Sequence, residues 1–138
     1  MPAYDASLFN PPAPLARVTL RNQDNGNTVS DVPMLLDTGA DVTLIPQSAV
    51  NQLGLNIDPD ESYELMGFDG STSVAQVVRV DLILLRKVFR GRFLISDQGC
   101  GILGRDILNH LTLVFDGPRL NWFDGPRLNW SEENLSGS

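Results

Sequence analysis

Residues 34–46 read MLLDTGADVTLIP. Two leucines lead straight into Asp37, Thr38 and Gly39, and apolar character resumes with Val42, Leu44 and Ile45. A turn aspartate has no reason to sit between two apolar strands. A carboxylate taken out of water there is costly unless something satisfies or uses it. This stretch decides the reading of the chain, and the question it poses is what answers the charge of Asp37.

Outward from it, the chain reads as short strands. LARVTLRN (15–22) alternates with period two, Asn25-Gly26 signals a tight turn, and VPMLLD (32–37) returns. VTLIP (42–46) is expected as a strand. Pro46 to Leu53 is expected as a short helix, with Ala49, Val50 and Leu53 on one face and Gly54 as its stop. YELMGF and STSVAQVV flank Asp69-Gly70 as a second hairpin, RVDLILL and VFRGRFLI supply two more strands, and GRDILNHL (104–111) is a short helix before LTLVF. The fold class is therefore all-β, a small barrel or sandwich with one or two short helices. Pro2, Pro11, Pro12 and Pro14 mark residues 1–14 as an extended arm.

FDGPRLNW stands at 115–122 and again, letter for letter, at 123–130. Solenoid repeats have longer periods and diverge, so two perfect octapeptides point to a recent tandem duplication or an artefact rather than to a functional repeat. Its expected consequence is one extra Asp-Gly-Pro turn and one extra strand, ahead of a polar tail, SEENLSGS.

The bulk numbers exclude several functions. The chain has 138 residues, 42% hydrophobic and 20% charged, with 10 basic against 17 acidic residues and a net charge of -7. That sign argues against nucleic-acid and anionic-membrane partners. Cys100 and His110 are each the sole residue of their type, so neither an internal disulfide nor a Cys/His zinc site is available within one chain. No basic-then-apolar leader opens the chain and no apolar run approaches the roughly 20 residues of a membrane span. A soluble, cytoplasmic protein is expected.

Two further features join LLDTGAD: the segment CGILGRDIL (100–108), and the hairpin YELMGFDGSTSVAQ between them. In these parts, and over roughly Leu15 to Trp122, the sequence resembles the retropepsin-like, single-domain aspartic proteases. The resemblance implies a small closed barrel completed as a homodimer, with residues 15–122 as the protease domain, 1–14 as an arm, and 123–138 as duplicated octapeptide and tail. It implies an aspartic endopeptidase acting on extended polypeptide, with no metal and no organic cofactor. Asp37 matches the catalytic aspartate, with Thr38 and Gly39 completing its loop. Ala40 and Asp41 match substrate-contacting positions, and Gly67, Phe68, Asp69 and Gly70 match the tip of a flap. That tip is bulkier and more charged than the glycine-rich retroviral pattern. Leu103, Gly104 and Arg105 match the support of the catalytic loop, with Arg105 paired to Asp41.

Such hydrolysis needs two carboxylates sharing one proton. The chain has one Asp-Thr-Gly, so the partner is expected to be Asp37 of a second copy, brought to a two-fold axis. Ala40, unlike the hydroxyl residue of acid-adapted relatives, cannot hydrogen bond the ionised carboxylate, so the dyad is expected to work in mildly acidic to near-neutral conditions. The competing reading is a non-catalytic peptide-binding or dimerisation module of the same fold. A self-processing unit released from a polyprotein is a third.

Overall fold

A computed structural model describes residues 2–66 and 69–125. β2 (Ala13–Arg21) and β3 (Thr28–Leu36) form the first hairpin around the Asn25-Gly26 turn, where Gly26 adopts φ 77. Alternation sends Ala16, Val18 and Leu20 of β2 and Val32, Met34 and Leu36 of β3 into the core, while Arg17 faces water. Each of these side chains larger than alanine contributes on the order of 1.5–3 kcal/mol on burial.

β4 is shorter than the sequence suggests, Leu44–Pro46 instead of 42–46. Val42 and Thr43 belong instead to the loop that follows Asp37. α1 (Gln47–Leu53) buries Ala49, Val50 and Leu53 and stops at Gly54, whose φ of 58 suits a residue without a Cβ. β5 (Ile57–Met66) and β6 (Thr72–Leu84) pair antiparallel down to Met66 opposite Thr72.

Two expected strands, STSVAQVV and RVDLILL, are one continuous β6. It turns into β7 (Lys87–Ser96) through Leu85 and Arg86, both at positive φ (52 and 65). A two-residue turn of this hand usually carries Asn or Gly. Leucine and arginine gave no such signal.

β8 (Gly101–Leu103) runs parallel to β3 and antiparallel to β4, and α2 (Arg105–Leu108) follows it. β4 in turn lies parallel to β7, and β2 pairs with β6 as well as with β3. The pairing path β2-β3-β8-β4-β7-β6 thus comes back to β2.

The arm is not wholly irregular. β1 (Tyr4–Asp5) pairs with Pro14 and Ala13, because extended prolines do not prevent their neighbours from donating. β9 (Leu113–Asp116) and β10 (Asn121–Asp124) form a separate hairpin. The first octapeptide supplies Phe115 and Asp116 of β9, the turn, and Asn121 and Trp122 of β10, and Phe123 and Asp124 of the second extend β10. The expected extra turn and strand, with Trp130 and the polar tail, lie beyond the described residues. Trp122 is buried and its Nε1–H donates to the Leu15 carbonyl at 3.0 Å, so it packs the hairpin onto the core.

Candidate active site

Asp37 follows the last residue of β3, and its own N–H donates to the Leu103 carbonyl at the end of β8 (3.1 Å). Its Oδ1 accepts the Gly39 N–H at 3.0 Å, and its carbonyl accepts the Ala40 N–H at 3.2 Å. The loop is therefore closed on itself and tied to a neighbouring strand. Within one chain Asp37 is half-buried and Thr38 and Gly39 are exposed, which is more open than the apolar flanks suggested. A Cβ on Gly39 would lie 3.2 Å from Asp37 Oδ1, close enough to crowd the carboxylate.

The segment Gly101–Arg105 supports this loop through close contact. A Cβ on Gly104 would meet the Val42 backbone at 2.5 Å, and one on Gly101 would meet the Leu44 carbonyl oxygen at 2.7 Å. Neither position has room for a side chain. Arg105 is held on three sides. Its N–H donates to the Ala40 carbonyl at 2.9 Å, its guanidinium donates to the Thr38 carbonyl at 2.7 Å, and it forms an ion pair with Asp41. The Arg105–Asp41 pair expected from the motif is present, and Leu103 is fully buried behind it.

Two residues that sequence reasoning did not assign to the site sit beneath it. Thr43 is fully buried, and its Oγ1–H donates to Asp106 Oδ1 at 2.6 Å while accepting the Gly104 N–H at 3.1 Å. The Thr43 N–H donates to Asp106 Oδ2 at 3.1 Å. Asp106, in the first turn of α2, is a clasp between that helix and the Asp37 loop. A threonine six residues after an aspartate carries no pattern that would have announced this.

At the tip of the β5–β6 hairpin, Gly70 adopts φ 83 and Asp69 Oδ1 accepts both the N–H and the hydroxyl of Ser71. The Ser71 hydroxyl, then its N–H, hold the Asp69 carboxyl below its ordinary range. Asp69 is thereby committed to the turn. Gly67 and Phe68 lie outside the described residues. Under the hairpin, Ala75, Val77 and Leu94 form a small core joined by Val42, Leu44 and Leu65.

Leu35 and Ile102 are opposite each other in the β3–β8 ladder, one step before Asp37 and Leu103 are joined. Both line an apolar cavity of about 360 Å³ with Leu8, Phe9, Cys100 and Gly101. Cys100 is half-buried, and burial pushes its thiol above the ordinary range. Neither this cavity nor the arm's part in it was legible from the sequence. Among the described residues no group of three or more His, Cys, Asp or Glu could hold a metal ion, and no helix is long and apolar enough to cross a membrane.

Residues 25–110 match the model of a family described as "gag-polyprotein putative aspartyl protease". Among solved structures the chain is similar to EIAV protease complexed with the inhibitor HBY-793. The two share 25% sequence identity and a TM-score of 0.54, over 71% of this chain and 86% of that one. No curated protein matches the sequence.

Proposed function

The chain belongs to the gag-polyprotein aspartyl protease family and is a retropepsin-like aspartic endopeptidase, and from that premise we propose that Asp37 is its catalytic residue, paired with Asp37 of a second copy. The observation that carries this reading is the Asp37 loop itself. One carboxylate is fixed by the Gly39 N–H and by the tie to Leu103, yet left half-open, with no second Asp-Thr-Gly in the chain to complete it. Across a two-fold axis two such carboxylates share one proton, since like charges about 3 Å apart cannot both ionise. One then acts as general base on a water and the other as acid toward the carbonyl oxygen.

Thr38 and Gly39 complete the loop, and Thr38 bonds across the axis. Ala40 and Asp41 contact substrate main chain, with Arg105 holding Asp41 in place. The β5–β6 hairpin acts as the flap, with Gly67, Phe68, Asp69 and Gly70 at its tip. Polypeptide binds as an extended strand between flap and loop. The apolar cavity at Leu35 and Ile102 receives a hydrophobic side chain beside the scissile bond. Pairing of β2 with both β3 and β6 supports a small closed barrel as the body of each subunit. The protease domain is 15–122, with residues 1–14 as its arm and 123–138 beyond it.

A peptide library and a denatured protein, incubated between about pH 4 and 7 with Asp37→Asn and a pepstatin-type inhibitor alongside, test this by mass spectrometry of the products. Cleavage that disappears in both arms is expected. Cleavage that persists in Asp37→Asn refutes the assignment.

A further inference from the structure

The β5–β6 hairpin is two ladders, not one. Ile57 and Asp58 pair with Val78 and Val77, and Ser62 to Met66 pair with Gln76 to Thr72. Gln76 and Val77 are adjacent, so Pro59, Asp60 and Glu61 are extra residues on β5 with nothing opposite them on β6. Pro59 has no N–H to offer a ladder, and the Asp60 N–H donates to Asp58 Oδ1 at 2.9 Å. The bulge is thus closed on itself.

The hairpin leaves the body of the fold at the same point. β6 pairs with β7 from Val77, opposite Leu94, to Leu84, opposite Lys87. Among the described residues, 72–76 have no strand partner except β5. The outer ladder is therefore a two-stranded ribbon, joined to the sheet by continuous β6 on one side and by the bulge on the other. Such a ribbon holds its position weakly by itself. Ala75 of this ladder, with Leu65 packed against it, belongs to the small core that Val42 and Leu44 join beyond the Asp37 loop. The angle at the ribbon's root therefore sets the height of the cleft.

One side chain ties that root across the sheet. Glu61, at the end of the bulge, forms an ion pair with Arg92 of β7. Arg92 stands opposite Arg79 in the β6–β7 ladder, and like charges facing each other repel. Glu61 answers that repulsion. Its hydrogen bond, then its charge, push the Arg92 guanidinium above its ordinary value, and Asp58 at the start of the bulge adds to this. Glu61 Oε2, in contrast, is buried with no hydrogen-bond partner among the described residues. The carboxylate gains at one oxygen and loses at the other, so the pair releases easily.

Resting on the reading of this hairpin as the flap, we propose that residues 59–61 and the Gln76–Val77 step are the hinge on which it turns, and that Glu61 and Arg92 are positioning residues that hold it closed over bound polypeptide. Release admits the chain to be cut, and the re-formed pair retains it.

Hydrogen exchange read by mass spectrometry tests the hinge without any need for cleavage. Glu61→Gln and Arg92→Gln are each expected to exchange the amides of 62–66 and 72–76 roughly two- to fivefold faster, the factor a partly exposed ion pair supports. The amides of 77–84 and of β7 are expected to keep their wild-type rates. Arg92→Gln removes the Arg79 repulsion together with the clasp, so wild-type exchange in that variant would mean that only the repulsion mattered and would overturn the proposal. Salt at about 1 M is expected to bring wild type toward Glu61→Gln and to leave the variant unmoved. Toward a peptide substrate both variants are expected to raise KM by a similar factor at unchanged kcat. Faster exchange that spreads through 77–84 overturns the hinge, and an unchanged KM beside confined faster exchange overturns the positioning role. A wild-type protein that cleaves nothing, with faster exchange confined to 62–66 and 72–76 in both variants, leaves the hinge standing and refutes the catalytic reading instead.

Discussion

Thr43→Val is the substitution whose effect follows most fully from the geometry. Valine matches threonine in shape, so no cavity opens, and what changes is the hydroxyl. Two interactions vanish: the 2.6 Å donation to the Asp106 carboxylate and the acceptance of the Gly104 N–H at 3.1 Å. A hydrogen bond to a charged group contributes about 1.5–3 kcal/mol, and a buried N–H left without a partner costs about 1–3 kcal/mol. Asp106 keeps its bond from the Thr43 N–H, so its charge is not wholly abandoned. The expected loss is about 3 kcal/mol, toward the lower half of that sum. With a urea slope of about 1–3 kcal/mol per molar, the unfolding midpoint falls by about 1–3 M. The measurement is made at one fixed protein concentration, because association and folding are linked. Thr43→Ser keeps both bonds and loses only a methyl group, about 1 kcal/mol. A Thr43→Val protein within about 1 kcal/mol of wild type, with undiminished cleavage, would refute the clasp.

Gly104→Ala forces a Cβ to within 2.5 Å of the Val42 backbone, so a loss of about 3 kcal/mol or more is expected, read as loss of the cooperative thermal transition. Asp81 is fully buried and paired with Arg21 (2.8 Å) and Arg90 (3.1 Å). Burial alone would raise its pKa, but the bonds from Arg90 and Arg21 outweigh it and hold the carboxyl below its ordinary value. Its contribution is thus present above the unfolded-state pKa near pH 4 and fades as pH falls through the lower folded value. Asp81→Asn is expected to lose about 2–3 kcal/mol at neutral pH and to flatten the stability–pH curve below about pH 4, as followed by denaturant titration at several pH values. Ala40→Ser adds a hydroxyl to the catalytic loop. It is expected to move the acidic limb of the pH–rate profile to lower pH, whereas an unchanged limb would remove Ala40 from the control of the dyad.

Where local pattern and tertiary role coincide, the fold was readable. The Asn25-Gly26 and Asp69-Gly70 turns, the face of α1 and the alternation of β2 all follow from residue chemistry acting over a few positions. The Leu85-Arg86 turn was not readable, since the register of β6 against β7 imposes positive φ on residues that do not favour it. Asp37, Asp41 and Arg105 could be named because they match the motifs of the family that the chain resembles, although the Arg105–Asp41 pair itself spans 64 positions. Thr43 and Asp106 could not, because no motif assigned them a role and the bond joining them exists only once Gly104 crosses over Val42. The cavity at Leu35 and Ile102 likewise depends on where an irregular arm comes to rest.

The central claim is that two chains build one site from two copies of Asp37. Wild-type protein and Asp37→Asn, unfolded together, refolded and assayed across mixing ratios at constant total concentration, test it directly. If each site needs both aspartates, activity follows the square of the wild-type fraction, about a quarter at equal mixing. Activity proportional to the wild-type fraction, about half at equal mixing, would mean that each chain works alone and would contradict the shared site.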